Sequence, residues 1–228
     1  MTRFALIFMS FLVSFVFAQN LSAEDVLNKL SERAKSLQDA QFLLTGLLID
    51  ADGTELPLEI NVQLIPPAQV ARAEFIQPDA LADNFIVLDG DSVYNYIYLT
   101  NQATVFKAGD PDALGGLFPE SNSEESFQFT LDLEALFASW QIGLEGYEES
   151  PAGNVYKLRF DNLEEGAVIS YVRASVLAEA WLPYTMTFYN ADDTILADLK
   201  FDGIKTDIGL NADDLRYIPD DAEIIDER

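Results

Sequence analysis

The side chains that most often carry out catalysis or hold transition metals are missing from this sequence. It contains no histidine and no cysteine. This excludes His-based general bases, Ser-His-Asp and Cys-His nucleophile systems, and thiolate or imidazole metal sites. Carboxylates are plentiful, with 39 aspartates and glutamates, but no pair stands out as the acid and base of a hydrolase. We therefore predict a protein that is not an enzyme and that needs no cofactor or metal.

One acidic stretch, Asp50-Ala51-Asp52-Gly53, resembles the first part of a calcium-binding loop. The later ligands of such a loop, including its closing Glu, do not follow at the required spacing. Asp and Gly are also the residues that hairpin turns favour. We therefore interpret this stretch as a turn between two strands.

A row of tyrosines is the most unusual feature of the stretch VLDGDSVYNYIYLTNQATVF, residues 87–106. Alternation along its middle strand places Tyr94, Tyr96 and Tyr98 on one face. These rings can be ordinary core or an outward cross-strand ladder, or they can line a cavity that holds an apolar ligand. One-sidedness of a strand does not separate a filled barrel from a lined one, so both interpretations stand.

The first 18 residues have the pattern of a cleavable signal peptide. Arg3 precedes an apolar run from Phe4 to Phe17, and Val16-Phe17-Ala18 supplies a cleavage site. The alternative is a membrane anchor, but spanning a bilayer takes about 20 apolar residues. Because the chain has no cysteine to acylate, we predict an exported protein that is not itself a lipoprotein.

The charge is strongly acidic, at −26 for the whole chain. This argues against nucleic acid as a partner and against adsorption to anionic membranes, since both need clustered Lys and Arg. A solvated, self-repelling surface predicts a monomer. A specific cationic partner is the alternative explanation.

Hydrophobic periodicity predicts two helices and a long series of strands. The first helix covers residues 22–37, with Ser22 and Asp25 as its cap. The second covers Leu131–Trp140, after a loop rich in Gly, Pro and polar residues at 108–128, and the tail over residues 215–226 is predicted to be extended. Strands are predicted over residues 40–49, 55–65, 70–76, 84–88, 94–100, 103–107, 142–149, 155–160, 169–176, 183–189 and 195–206.

This element order predicts a mainly β, α+β fold. We expect a half-open, curled antiparallel sheet, an incomplete barrel of roughly ten or eleven strands, covered by two helices. No linker divides the chain, so residues 19–228 are predicted to form a single domain after the signal peptide at 1–18.

Two stretches carry a resemblance to a known family. In EFIQPDALADNFIVLDGDSVYNY, residues 74–96, a strand ends at Gln77-Pro78, an apolar strand ends at Asp89-Gly90, and an aromatic strand follows. Residues 181–226 begin with a Leu-Pro strand and close with a Pro-x-x-Ala-hydrophobic segment. In these motifs and in element order, nearly all of residues 19–228 resembles the periplasmic outer-membrane lipoprotein carrier family (LolA and its relatives).

The resemblance implies a periplasmic carrier that binds the acyl chains of lipoproteins, or lipids, and shuttles them toward the outer membrane. The helix at 22–37 and the segment 109–140 would form a lid over the apolar cavity. An inner-membrane transporter and an outer-membrane acceptor would be the partners. The alternative is an envelope-stress sensing or regulatory lipid-binding domain that acts through a membrane signalling partner. A structural protein with a filled barrel is a third possibility.

The predicted cavity lining combines the family match with strand and helix periodicity. Phe75 and Ile86 come from the match on either side of Gln77-Pro78, and Leu88 shares a face with Ile86. The helices contribute because their apolar stripes need a partner. The predicted lining is Leu30, Phe75, Ile86, Leu88, Tyr94, Tyr96, Leu136, Phe137 and Trp140.

The chain departs from the family at one point. Members place an Arg before the Pro that precedes the third strand, whereas Ile65 precedes Pro66 here. The nearest basic residue is Arg72, and Ala71 and Ala73 replace bulkier residues. This predicts a wider or differently gated pocket.

Overall fold

The computed structural model describes residues 21–50, 52–114 and 130–228. The predicted signal peptide at 1–18 lies outside the described residues, as does the part of the predicted lid segment at 115–129. Within the three described ranges, no helix combines the length and the apolar character that crossing a membrane requires.

The described strands form one open, curled sheet of twelve strands, in the order β12-β6-β5-β4-β3-β2-β1-β11-β10-β9-β8-β7. Pairing is antiparallel except between β12 and β6. The predicted fold class is confirmed, although the strand count exceeds the predicted ten or eleven. The strands are β1 (Ala40–Ile49), β2 (Glu55–Ile65), β3 (Val70–Gln77), β4 (Phe85–Asp89), β5 (Ser92–Ile97), β6 (Gln102–Lys107), β7 (Gln141–Ser150), β8 (Gly153–Asp161), β9 (Tyr171–Leu177), β10 (Leu182–Tyr189), β11 (Ile195–Thr206) and β12 (Glu223–Asp226).

The described residues contain three α-helices, α1 (Ala23–Ser36), α2 (Leu133–Leu136) and α3 (Ala212–Arg216), besides short 3-10 helices. A capping box starts α1, in which the Asp25 amide donates to Ser22 Oγ at 3.1 Å and the Ser22 amide donates to Asp25 Oδ2 at 3.0 Å. The hydrogen bond that the Ser22 amide donates to the Asp25 carboxylate, followed by that with the Ser22 side chain, holds the pKa of Asp25 below its ordinary value. The buried stripe of α1, which includes Val26, Leu30 and Ala34, therefore starts at a fixed point and packs on the sheet.

The acidic stretch after β1 is a hairpin turn. The Asp50 amide donates to the Thr54 carbonyl at 2.9 Å, and the Gly53 amide donates to the Asp50 carbonyl at 2.8 Å. Gly53 has a φ of 83°, which glycine adopts without steric cost. The turn joins β1 to β2, where Leu58, Ile60, Val62 and Leu64 alternate with less buried positions.

The predicted helix over Leu131–Trp140 is too long. Asp132 caps α2 by accepting hydrogen bonds from the Glu134 and Ala135 amides, so the helix starts at Leu133. It ends at Leu136, with Phe137 as its C-cap. Because β7 begins at Gln141, the chain must leave the helical conformation within one turn.

The prediction of an extended tail is also incomplete. Asn211 caps α3 by accepting from the Asp213 amide, with acidic residues in the first turn of that helix and Arg216 in its last. This arrangement complements the helix dipole. After α3, residues 223–226 pair with β6 as β12.

The strand predicted over 94–100 ends at Ile97, because Tyr98–Thr100 form a turn. The Tyr98 amide donates to Asn84 Oδ1 at 2.8 Å instead of joining the β5–β6 ladder, and Asn101 takes a φ of 52°. The Tyr98 ring is 61% exposed at this hairpin tip.

The two faces of the sheet carry separate apolar clusters. The inner cluster lies between the sheet, α1 and α2, and the outer cluster lies on the other side of β4–β6. The outer cluster comprises Phe85, Val87, Tyr96 and Ala103, with Tyr94, Ile218 and Ala222 packed against them. The largest fully buried side chains of the inner cluster are Val26, Leu30, Leu37, Ile60, Val62, Ile86, Leu131, Leu133, Leu158 and Phe160.

Position 46 of β1 requires glycine because β11 passes very close to it in the antiparallel pair. A Cβ on Gly46 would collide with the Asp198 carbonyl oxygen, whereas a Cβ on Gly143 of β7 would meet nothing within 4 Å. We expect Gly46→Ala to lower the free energy of unfolding by about 1–3 kcal/mol, as overpacking does. Gly143→Ala, the control, should change it by no more than about 0.5 kcal/mol. Urea unfolding measures both, and equal midpoints would contradict the prediction.

Candidate apolar ligand site

Seven of the nine predicted lining residues belong to the inner cluster or pack against it. They come from α1, the sheet and the α2 region. Leu30 and Ile86 are tightly packed, at 0% and 1% exposed, whereas Leu88, Leu136 and Trp140 are only partly buried. The seven are Leu30, Phe75, Ile86, Leu88, Leu136, Phe137 and Trp140.

Tyr94 and Tyr96 lie in the outer cluster, on the opposite face of the sheet from the other seven. Tyr96 stacks on Phe85 with ring centroids 4.4 Å apart, and its hydroxyl donates to Asn101 Oδ1 at 2.9 Å. Tyr94 and Tyr96 therefore do not line the predicted cavity. They follow the other interpretation and form core packing on the outer face of the sheet.

The hairpin register explains this correction. Asp89 pairs with Ser92, so Leu88 faces Val93 and Val87 faces Tyr94 across the strands. Any two-residue turn between these strands pairs an even-numbered residue with an odd-numbered one. Tyr94 therefore cannot share a face with Ile86 or Leu88. The Asp89-Gly90 turn signal contained this information, because turn length fixes register.

Arg72 also points to the outer face, away from the inner cluster. Its side chain is nearly buried, and its Cζ lies 3.7 Å from the centroid of the Phe85 ring. Its Nη1 donates to the Tyr217 carbonyl at 2.8 Å and its Nε to Glu74 Oε1 at 2.6 Å. Arg72 thus pins the segment after α3 to the sheet and does not gate a pocket.

An apolar pocket of about 420 Å³ lies beside the inner cluster. It is bounded by the last turn of α1, by the ends of β2–β5 and by residues 130–132. Leu88 is the one predicted residue in its wall, and the other apolar wall residues were missed. Those include Ala34, Leu37, Leu64, Ala71, Val93 and Leu131.

One of the missed residues had a sequence signal. Val93 faces Leu88 across the β4–β5 hairpin, so its position follows from the same register that removes Tyr94 from this face. Ala71 also faces Leu88, but through the separate pairing of β3 with β4, which the Asp89-Gly90 turn does not fix. Leu131 had no comparable signal, because its position depends on the contact between α1 and α2.

Polar groups gather at the rim of the pocket. Ser31 Oγ of α1 donates to Asp132 Oδ2 at 2.9 Å, in a buried hydrogen bond. Lys35 Nζ lies 3.8 Å from Asp132 Oδ2 and 3.8 Å from Glu134 Oε2. We call the Ser31–Asp132–Lys35 group the α1–α2 clasp, since it joins the two helices at the rim.

The lining of the pocket is mainly apolar, and its polar residues are Lys35, Gln69, Asp91, Thr130 and Asp132. Among residues 21–50, 52–114 and 130–228, no group of three or more acidic side chains is placed to hold a metal ion. Such a pocket can take an apolar chain while a polar end stays at the rim.

Comparisons with known proteins support the fold. No protein-family model matches the sequence, and no curated protein matches it significantly. Among solved structures, an uncharacterized conserved protein from Thermus thermophilus superposes with a TM-score of 0.64 at 22% identity, covering 90% of this chain and 98% of that one. MucB superposes with a TM-score of 0.56 at 15% identity. The match covers 89% of this chain and 65% of the MucB chain.

A LolA superfamily protein from Nitrosomonas europaea is also similar, with a TM-score of 0.43 at 11% identity over 86% of this chain and 98% of that one. The architecture itself is an open, curled antiparallel sheet whose inner face is covered by helices. The predicted fold class, a half-open curled antiparallel sheet covered by helices, is confirmed, and the chain shares this fold with the Thermus thermophilus protein and with MucB.

Proposed function

We propose that this chain is a non-enzymatic periplasmic carrier, which binds acyl chains of lipoproteins or lipids and moves them toward the outer membrane. The observation that carries the proposal is the apolar pocket of about 420 Å³ next to the inner cluster. Its volume lies in the range of small-molecule sites, about 300–1,000 Å³. The signal-peptide pattern supports export, and an inner-membrane transporter and an outer-membrane acceptor are the proposed partners.

Acyl chains give such a pocket a strong driving force. Each CH₂ removed from water contributes roughly 0.8 kcal/mol, so even part of a chain binds measurably. A full chain needs more room, and the adjoining space is filled by Leu30, Ile86 and Phe137. We therefore propose that α1 and α2 separate to admit the chain, with the α1–α2 clasp as the contact that opens.

The first test is ligand uptake by the wild-type protein and by Leu88→Glu. Native mass spectrometry after mild purification and thermal stabilisation by an acylated lipopeptide are the measurements. Leu88 is a half-buried wall residue, so a carboxylate there should leave the fold intact. We expect it to weaken acyl binding at least about tenfold, which corresponds to about 1.4 kcal/mol.

The control for this test is Leu99→Glu, because Leu99 is 92% exposed at a hairpin tip. It should bind like the wild type. A wild-type protein that is always empty, and gains no thermal stability with the lipopeptide, contradicts the carrier. A folded Leu88→Glu protein that binds normally contradicts the placement of the site.

The second test addresses the α1–α2 clasp. Asp132→Ala removes the acceptor for Ser31 and the cap of α2, so we expect a loss of about 0.5–2 kcal/mol of unfolding free energy. If α1 and α2 form the lid, the acyl ligand should also dissociate faster. Glu134→Gln is the control, since it loses only the exposed pair with Lys35, worth about 0–1 kcal/mol. Urea unfolding measures the stability change, and ligand displacement measures the dissociation rate. An unchanged dissociation rate for Asp132→Ala would show that the α1–α2 clasp is not part of the lid.

A regulatory role is the second candidate, and the likeness to MucB favours it. MucB has been solved in complex with MucA(peri). By analogy, this chain would sense lipid and act through a membrane signalling partner. A pull-down from envelope extract separates the two functions, since lipoproteins with a transporter support the carrier and a single signalling membrane protein supports the regulator.

A further inference from the structure

Three aromatic rings form a row on the inner face, away from the pocket. Tyr147 of β7 is the cross-strand neighbour of Tyr156 of β8, with ring centroids 4.8 Å apart. Tyr156 stacks on Trp181, in the turn between β9 and β10, at 5.6 Å and 12°. We call Tyr147, Tyr156 and Trp181 the aromatic row.

The outer end of the aromatic row is open to solvent. β7 is the last strand of the sheet, and its Tyr147 is 54% and its Leu144 38% exposed. Both lie on the inner face, because they pair with Tyr156 and Leu158. The strand thus presents apolar groups to water on the face where the rest of the sheet buries them.

The inner end of the aromatic row joins the inner cluster. Tyr156 and Trp181 pack against that cluster, and burial raises the pKa of the Tyr156 hydroxyl above its ordinary value. An apolar surface therefore runs without a break from the edge strand to the interior. A chain lying on the row would be in contact with the inner cluster before any helix moved.

A lysine side chain lies at the inner end of the aromatic row. Lys29 of α1 places Nζ 5.2 Å from the Trp181 ring centroid. Nine of the twelve Lys and Arg side chains in the described residues form an ion pair with a carboxylate, and Lys29 forms none with the carboxylates described. Lys29 does act on the Asp25 carboxylate, whose pKa is lowered by hydrogen bonds from Ser22 and, to a smaller extent, by the charge of Lys29. In a chain with a net charge of −26, this ammonium beside the partly exposed Trp181 ring is a place where an anion is tolerated.

We propose that the aromatic row and Lys29 form a peripheral subsite for an acyl chain with an anionic head group. The chain lies along the rings and Leu144, and the head group pairs with Lys29 Nζ. This inference rests on the proposed acyl-carrier function and adds a loading position outside the inner cluster. A free fatty acid and an anionic phospholipid share the required chemistry.

The two tryptophans report separately on the interior of the inner cluster and on the aromatic row. Trp140 packs on the inner cluster and against Phe137, with ring centroids 5.2 Å apart, and Trp181 belongs to the aromatic row. Trp140→Phe leaves Trp181 as the only tryptophan, and Trp181→Phe leaves Trp140. Bromine quenches tryptophan fluorescence only at short range, so dibromostearate reports which ring the chain approaches.

We expect dibromostearate to quench Trp181 in the Trp140→Phe protein. Its methyl ester, which has no charge, should bind more weakly there. Quenching of Trp140 without quenching of Trp181 would overturn the subsite and leave the carrier function standing. Quenching of neither would overturn the subsite, and the uptake test with Leu88→Glu would then decide the carrier function separately. Quenching of Trp181 without Trp140 would support the subsite and contradict loading of the interior.

Variants in the Trp140→Phe background test the assigned contacts. Lys29→Gln should weaken the apparent affinity about two- to fivefold, as for an exposed ion pair. Tyr147→Ala should weaken it about two- to tenfold, the range for an aromatic contact. Lys205→Gln and Tyr98→Ala are matched controls, since both residues are exposed and remote from the row. Equal affinities for all four variants would overturn the assignment.

The source of the ligand is resolved by a second probe. Vesicles of brominated phosphatidylglycerol replace dibromostearate in the same proteins. Quenching of Trp181 by both probes supports a subsite for either anionic lipid, and quenching by dibromostearate alone restricts it to free fatty acids. Quenching that Lys29→Gln and Tyr147→Ala leave unchanged would overturn the subsite for either probe.

Discussion

The inner face of this open sheet is apolar, and no second sheet covers it in the part of the chain that the structure describes. That constraint shapes most of the structure. α1 meets it with a stripe of Val26, Leu30 and Ala34, and Leu37 continues the stripe just past the helix. Burying a single large aliphatic side chain contributes about 1.5–3 kcal/mol, so this helix is a main source of stability. A cover made of one helix can move as a unit, which a second sheet could not do without breaking a ladder.

The outer face is covered by different means. The chain that follows β11 crosses β3 and β4 through α3 and then adds β12 beside β6. Arg72 holds it by hydrogen bonds to backbone carbonyls, and Arg216 pairs with Asp89 at 2.9 Å. Polar contacts to a backbone fix one geometry, whereas apolar contacts tolerate sliding. The outer cover is therefore held by polar contacts to its backbone, whereas the inner cover combines apolar packing with the α1–α2 clasp and with the hydrogen bond from Arg33 of α1 to Thr206 of β11.

Local sequence patterns predicted the strands well. The site was predicted less well, because it depends on long-range geometry. The bounds of β1, β2 and β11 coincide with the prediction, because alternation and turn residues define strands without reference to partners. The same alternation places Tyr94 and Val93 on opposite faces of the sheet, but it does not say which of them faces inward. That choice depends on pairing across the sheet, and the turn at Gly90 could have supplied it. The pocket could not be predicted, because it depends on where α1 meets residues 130–132.

The central pairing of the sheet has a consequence for how the chain acquires its shape. β1 pairs with β2 along the chain but also with β11, where Leu44 lies opposite Phe201. Forming a long-range strand pair costs loop-closure entropy before any contact is gained, and this makes folding slow. During synthesis, one edge of β1 stays unpaired until nearly the whole sequence has emerged. The two halves of the sheet on either side of the β1–β11 pair therefore cannot join until β11 has been synthesised.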